Sequence, residues 1–388
     1  MDLDTIRFLR SDAGRSAISG VPAESVEDHR LLGMLTDLRR RLDPGLAAAV
    51  VETVRLRASG RAKFERADQM LFDRAGLEQA TSEPVARHRA ERFARCGPDL
   101  ILDIGCGVGG DSIALASVSP VVGLDRDPAR VAMAAHNVGA YGGTFHGVVG
   151  DATTPCWSRS PDAVLLDPAR RVDRRRTFDP GSFQPALGIA VDIAREARVG
   201  AVKTAPGIDR SFLPTTAEAE FVSLGGELKE CVLWFGEGRT PAATSASLIG
   251  VGRFVPGGDP AAVLVAAPGA VIFEPDPAII RAGLVRHLAA EIGARMIDER
   301  IAYLTLDRVP DSPFGRPYEV ESVMPFSLKP LRARLRSLGV GSVTIKKRGS
   351  PIEPEDLRRM LRLDGSEHRV LILTRIGTDP VVIIGAEI

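Results

Sequence analysis

The chain has 388 residues, and its 50 lysines and arginines balance 50 aspartates and glutamates. This length exceeds what one core usually supports, and a neutral chain has no overall field for a polyanion, so any nucleic-acid site must be a local cationic patch. No segment is apolar for long enough to cross a bilayer. The scattered cysteines lack the C-x-x-C pairs of zinc sites and do not suggest a disulfide framework: Cys96, Cys106, Cys156 and Cys231. We therefore expect a cytoplasmic protein of two or three domains, without a metal site.

Residues 1–95 predict a helical domain. The leucines between Leu31 and Leu42 recur at helical spacing. Asp43 is placed to cap a further helix, and Pro44 suits the first position of that helix.

From residue 99 onward short apolar runs alternate with alanine-rich segments, until proline and glycine become dense at 256–271. The runs LILDIG, VVGLD, FHGVVGD and DAVLLDP are typical of strands, and DSIALASV and PARVAMAAHNV of helices. This alternation predicts a doubly wound α/β domain over residues 96–270, built on a mainly parallel sheet with crossover helices.

The remaining chain predicts two smaller units, at 271–317 and 318–388. The first is expected to hold one helix over PAIIRAGLVRHLAAEIG and one strand over RMIDERIAYLTL. In the second, strands over YEVESVMPF, VGSVTIKKRG, HRVLILTRIG and VVIIGAEI accompany helices over LKPLRARLRSLG and PEDLRRMLRLDG. Gly339 is expected to end the first of these two helices.

A glycine-rich loop lies in LILDIGCGVGGDSIALA, where Gly105, Gly107 and Gly109 or Gly110 stand between a strand and a helix. Glycine there lets the backbone approach a ligand. The spacing also satisfies the G-x-G-x-x-G of nicotinamide and flavin enzymes, so the loop alone does not choose the ligand. Asp103, two residues before the first glycine, would repel a pyrophosphate and attract a cationic amino group.

Aspartates also close the next three predicted strands. Asp125 can accept both ribose hydroxyls of either kind of cofactor, Asp151 can accept from an adenine amino group, and Asp167 closes the fourth strand. Each acid alone would more often be a helix cap or a loop residue, but the ordered set after a glycine loop favours a binding site. A ribose, an amine and a base edge without a phosphate describe S-adenosylmethionine, whose sulfonium gains from nearby negative charge.

Together D-x-G-x-G-x-G, the acid after the second strand, GDAT at 150–153 and DPAR at 167–170 resemble the class I S-adenosylmethionine-dependent methyltransferases, over about residues 99–255. The resemblance implies a Rossmann-like fold and a set of cofactor-binding residues from these motifs: Asp103, Gly105, Cys106, Gly107, Gly109, Asp125, Arg126, Asp151, Ala152 and Asp167. ATSEPVARHRAERF, residues 80–93, resembles the segment that helps close the cofactor pocket in several members.

The C-terminal region carries a second resemblance. Residues after about Tyr318 resemble the THUMP-like domain appended to some bacterial methyltransferases, through their order of elements and the KKRG sequence. The unit before them resembles the ferredoxin-like piece found beside that domain. THUMP domains are implicated in RNA binding in the families that carry them.

The family resemblance places Asp167 and Pro168 at the active site, with Arg170 and Lys203 as further catalytic candidates. Relatives that methylate amino groups complete the motif with an aromatic residue, but Ala169 and Arg170 stand there. C5-uridine methylating relatives have a catalytic cysteine after the next strand, where this chain has Lys203 and no thiol. By elimination we expect direct transfer to a ring or exocyclic nitrogen, with Asp167 accepting a hydrogen bond or a proton.

Two cationic clusters predict contacts with RNA phosphates. The candidate RNA-binding residues are Arg171, Arg174, Arg175 and Arg176 after the DPAR motif, and Lys346, Lys347 and Arg348 in KKRG. The alternative for the first cluster is a solvated loop paired with Asp173 and Asp179, and for the second a charged strand end.

We therefore expect an S-adenosylmethionine-dependent methyltransferase that acts on structured RNA, either transfer or ribosomal RNA. Three alternatives stay open. A small-molecule methyltransferase would turn over a metabolite without the steep salt dependence of RNA binding. A nicotinamide-dependent oxidoreductase would differ in the cofactor that it binds. A catalytically idle RNA-binding protein would keep the pocket only for structure, although the full set of aspartates counts against it.

Overall fold

The computed structural model describes residues 1–22, 28–154, 160–169, 171–172, 175–176, 180–257, 260 and 263–388. These form two compact units, which we call the first unit (1–219 and 230–243) and the second unit (220–229 and 244–388). The four-domain division at residues 95, 270 and 317 stays a prediction. None of the helices in the described ranges is long and apolar enough to cross a membrane.

Helices make up the beginning of the first unit, as the sequence predicts. They are α1 (Leu3–Arg10), α2 (Asp12–Ser19), α3 (Asp28–Leu38), α4 (Pro44–Gly60), α5 (Arg74–Gln79) and α6 (Glu83–Cys96). Pro44 opens α4 as expected, but the side chain of Asp43 makes no capping hydrogen bond.

The rest of the first unit is a mainly parallel sheet with its crossover helices. Its elements, with two strands shared between the units, are β1 (Ile101–Ile104), α7 (Gly110–Leu115), β2 (Val121–Asp125), α8 (Pro128–Ala140), β3 (Phe145–Val149), β4 (Ala163–Leu166), β5 (Arg171–Val172), β6 (Arg175–Arg176), α9 (Leu187–Glu196), β7 (Val199–Thr204), β8 (Glu218–Leu224) and β9 (Glu227–Gly236). Strands β3-β2-β1-β4-β7 are parallel in that order, and β9 runs antiparallel beside β7. The chain order reverses between β1 and β4, the place where open α/β sheets bind their ligands.

Burial explains the apolar strands of this sheet. All residues of β1, β4 and β7 are buried, as is usual when helices cover both faces of a parallel sheet. Phe93 of α6 packs with Trp234 of β9, with ring centroids 5.3 Å apart.

The N-terminal helices share one apolar core with the helices that follow the glycine loop. Phe64 and Phe72 lie in the same buried cluster as Met133 of α8. The fully buried amide of Asn137 on α8 fastens this contact, because its Oδ1 accepts from the Leu71 N–H at 2.7 Å. Its Nδ2 donates to the carbonyls of Leu71 and Val108, at 2.9 and 2.8 Å. One side chain thereby joins α8, the glycine loop and the N-terminal segment.

The second unit is built on antiparallel pairs and a seven-stranded sheet. Its further elements are β10 (Thr244–Leu248), β11 (Gly252–Phe254), β12 (Val271–Pro275), α10 (Pro277–Arg281), α11 (Val285–Glu291), β13 (Arg295–Asp298), β14 (Ile301–Leu306), β15 (Gly315–Pro325), α12 (Leu328–Ser337), β16 (Val340–Lys347), α13 (Pro354–Leu361), β17 (Glu367–Ile376) and β18 (Asp379–Glu387). The large sheet has the order β13-β14-β12-β15-β18-β17-β16. From β15 to β18 the elements follow the predicted order, and Gly339, with φ 65°, follows α12.

Two element predictions in this unit were wrong. The single helix expected over 277–293 is two helices, because Gly283 takes a left-handed conformation with φ 72° between α10 and α11. The single strand expected over 295–306 is the antiparallel pair of β13 and β14. The side chain of Asp298 accepts a hydrogen bond from the Arg300 N–H at 2.8 Å and holds the turn between them.

Candidate active site

The glycine loop leaves β1 and enters α7 with three residues in the left-handed region. Gly105, Gly107 and Gly109 have φ values of 83°, 53° and 86°, a conformation that side-chain-bearing residues rarely adopt. A Cβ on Gly105 would lie 2.7 Å from the Asp167 carbonyl oxygen, whereas one on Gly107 would meet nothing nearer than 4.0 Å. The loop thus lies directly against the segment after β4 at Gly105 and leaves an open approach at Gly107.

Asp125 closes β2 beside this loop, as predicted. Its Oδ2 accepts from the Gly107 N–H and its Oδ1 from the Asp127 N–H, both at 3.0 Å. A carboxylate offers about four acceptor positions, so both oxygens keep capacity for the hydroxyls of a ribose.

Asp103 lies within β1 and is 1% exposed. Its carboxylate accepts from the Ser112 hydroxyl. Burial raises the pKa of Asp103 to about 6, although Ser112 and the charge of Lys203 act in the opposite direction. The position therefore holds a desolvated acid behind the glycine loop, where a ligand cation would find an anionic partner.

Cys106 and Ala152 are buried. Burial raises the pKa of the Cys106 thiol well above its usual range, and its backbone N–H donates to the Leu124 carbonyl at 3.2 Å. Cys106 lies in the glycine loop after β1 and Ala152 in the segment after β3, and the side chains of both are buried there.

Asp151 follows β3, and its carboxylate accepts hydrogen bonds from neighbouring donors. Arg126 approaches its Oδ2 at 2.6 Å, and the Thr153 N–H donates to its Oδ1 at 2.8 Å. The hydrogen bond from Arg126, with those from Thr153, lowers the pKa of Asp151 to about 2. The structure thus brings together Arg126 and Asp151, two candidates that the sequence placed on different strand ends.

Asp167 and Lys203 form the centre of the candidate site. The register pairs Leu166 of β4 with Val202 of β7, so the residues that follow, Asp167 and Lys203, stand side by side. The Lys203 ammonium donates to Asp167 Oδ2 at 2.5 Å. Pro168, which follows the acid, is buried.

Charged residues that the sequence reasoning missed lie behind this pair. Asp111 on α7 accepts from Lys203 at 2.8 Å and is also bound by Arg89 of α6. Arg89 in turn binds Glu230 of β9. Arg89 shares its face of α6 with Ala86, Ala90 and Phe93, which are all buried. An arginine within that apolar stripe is the signal that would have found it.

The arginine-rich run after Asp167 contains the short antiparallel pair β5 and β6, with Arg171 opposite Arg176. For Arg171, Arg175 and Arg176 the structure describes only the backbone, and Arg170 and Arg174 lie outside the described residues.

The KKRG cluster belongs to the second unit, and each of its cations has an acidic partner. Lys346 and Arg348 both bind Glu274, at 3.1 Å, and Lys347 binds Glu353 at 2.8 Å. Burial opposes ionisation of Glu274, but the two cations hold its pKa below the usual range. The RNA-binding role of these residues stays a prediction.

The first-unit geometry fits S-adenosylmethionine better than a dinucleotide. Asp125 and Asp167 lie beside a loop that is open at Gly107, and the buried Asp103 lies behind it. These acids suit an amine, a ribose and a sulfonium rather than a pyrophosphate. Within the ranges that the structure describes, no group of histidine, cysteine or acidic side chains is placed to hold a metal ion.

Comparisons with known families agree with these motifs. The model for the RNA cap guanine-N2 methyltransferase family matches residues 98–159, and the THUMP domain-like model matches residues 315–387. A domain of unknown function matches residues 2–60.

Individual relatives extend the similarity along the chain. Trimethylguanosine synthase of Schizosaccharomyces pombe is 44% identical over 81 residues, 20% of this chain and 34% of that protein. A crystal structure from Porphyromonas gingivalis W83, assigned to the methyltransferases, superposes with a TM-score of 0.73 at 21% identity. It covers 93% of this chain and 98% of its own, and confirms the fold.

The similarity that decides the family comes from Mycobacterium tuberculosis. An uncharacterized S-adenosylmethionine-dependent methyltransferase of that organism is 38% identical over 340 residues, 84% of this chain and 92% of the relative. This confirms the resemblance inferred from the motifs and identifies the cofactor. The chain belongs to the S-adenosylmethionine-dependent methyltransferases.

Proposed function

We propose that this protein transfers a methyl group from S-adenosylmethionine to a base nitrogen in structured RNA, either transfer or ribosomal RNA. The observation that carries the proposal is the match of residues 98–159 to the RNA cap guanine-N2 methyltransferase family. This stretch contains the glycine loop with Asp125 and Asp151. The THUMP domain-like match at 315–387 supports an RNA substrate independently.

The cofactor is held, under this proposal, by the loop and its acids. Gly105, Gly107 and Gly109 give backbone access, Asp125 binds the ribose hydroxyls, and Asp103 faces the amino group. Arg126, Asp151 and Ala152 border the adenine. Bound S-adenosylmethionine supplies a methyl group made electrophilic by its sulfonium.

Asp167 orients the acceptor nitrogen. Its Oδ2 is occupied by Lys203, whereas its Oδ1 accepts no hydrogen bond within the described part of the chain. An N–H of the acceptor base can therefore donate to Oδ1 and point the nitrogen lone pair at the methyl group. Transfer forms an N–C bond as the S–C bond breaks, and the nitrogen releases its proton to Asp167 or to water. Orientation supplies much of the rate.

The arginines next to this acid are proposed to hold the RNA. β5 begins with Arg171, four residues after Asp167, so this strand follows the candidate site closely along the chain. Cations at that position can bind phosphates that flank the target base and fix its register. Lys346, Lys347 and Arg348 are a second proposed contact, weakened by their acidic partners.

The test is transfer of labelled methyl groups to fractionated RNA from a strain that lacks the protein. We expect label in one RNA class, and a loss of roughly 100-fold or more in Asp167→Ala while calorimetry still shows cofactor binding. Asp162→Ala is the matched control. Asp162 precedes β4 at the opposite sheet edge and pairs with Arg198 at 2.7 Å, so this variant should label RNA normally. No label in any fraction, with cofactor binding intact, would instead favour a metabolite acceptor or an idle binding protein.

A further inference from the structure

A row of charges of alternating sign runs from the candidate site into the interior of the first unit. Its members are Asp167, Lys203 on β7, Asp111 on α7, Arg89 on α6 and Glu230 on β9. The side chains of the inner four are at most 9% exposed, and Asp167 at the outer end is 32% exposed.

The ammonium of Lys203 is saturated by this arrangement. Its three N–H donors have three acceptors, at 2.5 Å from Asp167 Oδ2, 2.7 Å from Thr81 Oγ1 and 2.8 Å from Asp111 Oδ2. Thr81 also donates its hydroxyl to Asp111 Oδ2 at 3.0 Å. Asp111 thus contacts Lys203, Thr81 and Arg89 together.

Buried ion pairs are weak evidence of stabilisation, because desolvation offsets much of their attraction, and in some proteins such groups serve to fix one geometry. Here the imposed geometry reaches the active site. With asparagine in place of Asp111, one oxygen must serve both Lys203 and Arg89, so a donor of one cation is left unpaired in a buried place and Lys203 is no longer held against Asp167.

We propose that Asp111, anchored by Arg89, is a positioning residue that holds Lys203 against Asp167 and so fixes the orientation of the Asp167 carboxylate. The proposal rests on the proposed function through the role given to Asp167. Asp111 touches neither acceptor nor methyl donor in this account, and it acts through Lys203 alone.

Helix α6, which carries Arg89, also offers a matched control. Arg92, three residues after Arg89 on α6, forms a buried ion pair with Glu218 and stacks over Trp234 at 4.3 Å. Glu218→Gln therefore removes the carboxylate partner of a buried arginine on α6, as Asp111→Asn does for Arg89. Glu218 lies outside the row of charges that ends at Asp167.

Competitive amine labelling of the folded protein tests whether Asp111 holds Lys203 in place, and it needs no methyl acceptor. The chain has six lysines, so each is resolved by peptide mass spectrometry, with the exposed Lys329 as internal reference. We expect the labelling rate of Lys203 to rise roughly tenfold in Asp111→Asn, because an amine that has lost a buried hydrogen-bonded partner leaves its place more often and meets the reagent. Glu218→Gln should leave the rate unchanged. An unchanged rate in Asp111→Asn, or an equal rise in Glu218→Gln, would overturn the proposal.

Turnover on the RNA fraction that accepts label tests whether the position of Lys203 affects methyl transfer through Asp167. Asp111→Asn should lower kcat about tenfold with unchanged cofactor affinity and KM, and should have no further effect in a Lys203→Met background. Independent, additive losses would show that Asp111 does not act through Lys203. If the wild-type protein transfers no methyl label to RNA, the proposed function is wrong. The amine labelling of Lys203 still tests the role of Asp111, because it does not depend on the acceptor.

Discussion

Gly105→Ala tests the close approach between the glycine loop and the segment at Asp167. An alanine at φ 83° costs about 1–2 kcal/mol in backbone strain. Its Cβ would lie 2.7 Å from the Asp167 carbonyl oxygen, and ordinary contact begins at 3.4 Å, so the two segments must separate by the difference, about 0.7 Å. A loop displaced that far loses about one hydrogen bond to the cofactor, about 1.5 kcal/mol, which corresponds to tenfold weaker binding.

Calorimetric titration with S-adenosylmethionine, alongside thermal unfolding, separates these two costs. Gly97→Ala is the control, because Gly97 follows α6 with φ 55° and an added Cβ there meets nothing within 4 Å. Both variants should lose stability, and only Gly105→Ala should lose affinity. Wild-type affinity in Gly105→Ala, or the same loss in both variants, would refute the steric reasoning.

Three further predictions concern the acids and the arginines. Because the pKa of Asp103 lies at about 6 in the folded protein, above its ordinary 3.8, the folded state loses stability as pH rises through that window, by roughly 3 kcal/mol. Asp103→Asn should abolish this pH dependence in urea unfolding and raise stability at pH 7, while cofactor affinity falls. Asp125→Ala should weaken cofactor binding about tenfold or more in calorimetry, whereas Asp127→Ala, which removes the cap of α8, should cost about 1 kcal/mol of stability and leave affinity unchanged. Arg175→Ala and Arg176→Ala should each weaken RNA binding and reduce the slope of log affinity against log salt by about 1; an unchanged slope would count against the phosphate contacts.

Local patterns made the catalytic fold predictable from the sequence. The glycine loop and the aspartates at strand ends lie within short stretches, so their spacing carries the geometry. Lys203 was named because it stands where C5-uridine methylating relatives have a cysteine; the strand register places it beside Asp167, and its role stays a prediction.

Features that depend on distant partners were not predictable. Arg89 and Glu230 are 141 residues apart, and nothing in their spacing joins them. Glu274, which neutralises two cations of KKRG, lies 72 residues before Lys346, so the cluster looked unpaired.

Local turns were missed for a different reason. The turn at Asp298 separates two apolar runs without a glycine or proline, and it depends on one side-chain hydrogen bond. Gly283 was absorbed into a helical pattern, because periodicity does not report the sign of φ.

The amide of Asn137 has a practical consequence for anyone who shortens this protein. A chain that starts at β1 would keep the glycine loop and the aspartates at the strand ends, but it would lose Leu71 and with it two of the three hydrogen bonds that this buried amide makes. It would also bare the apolar faces of α7 and α8 that Phe64 and Phe72 cover. Such a fragment should aggregate when expressed. The smallest functional gene for this enzyme therefore includes its N-terminal helices, and random truncation libraries should recover no active clone that lacks them.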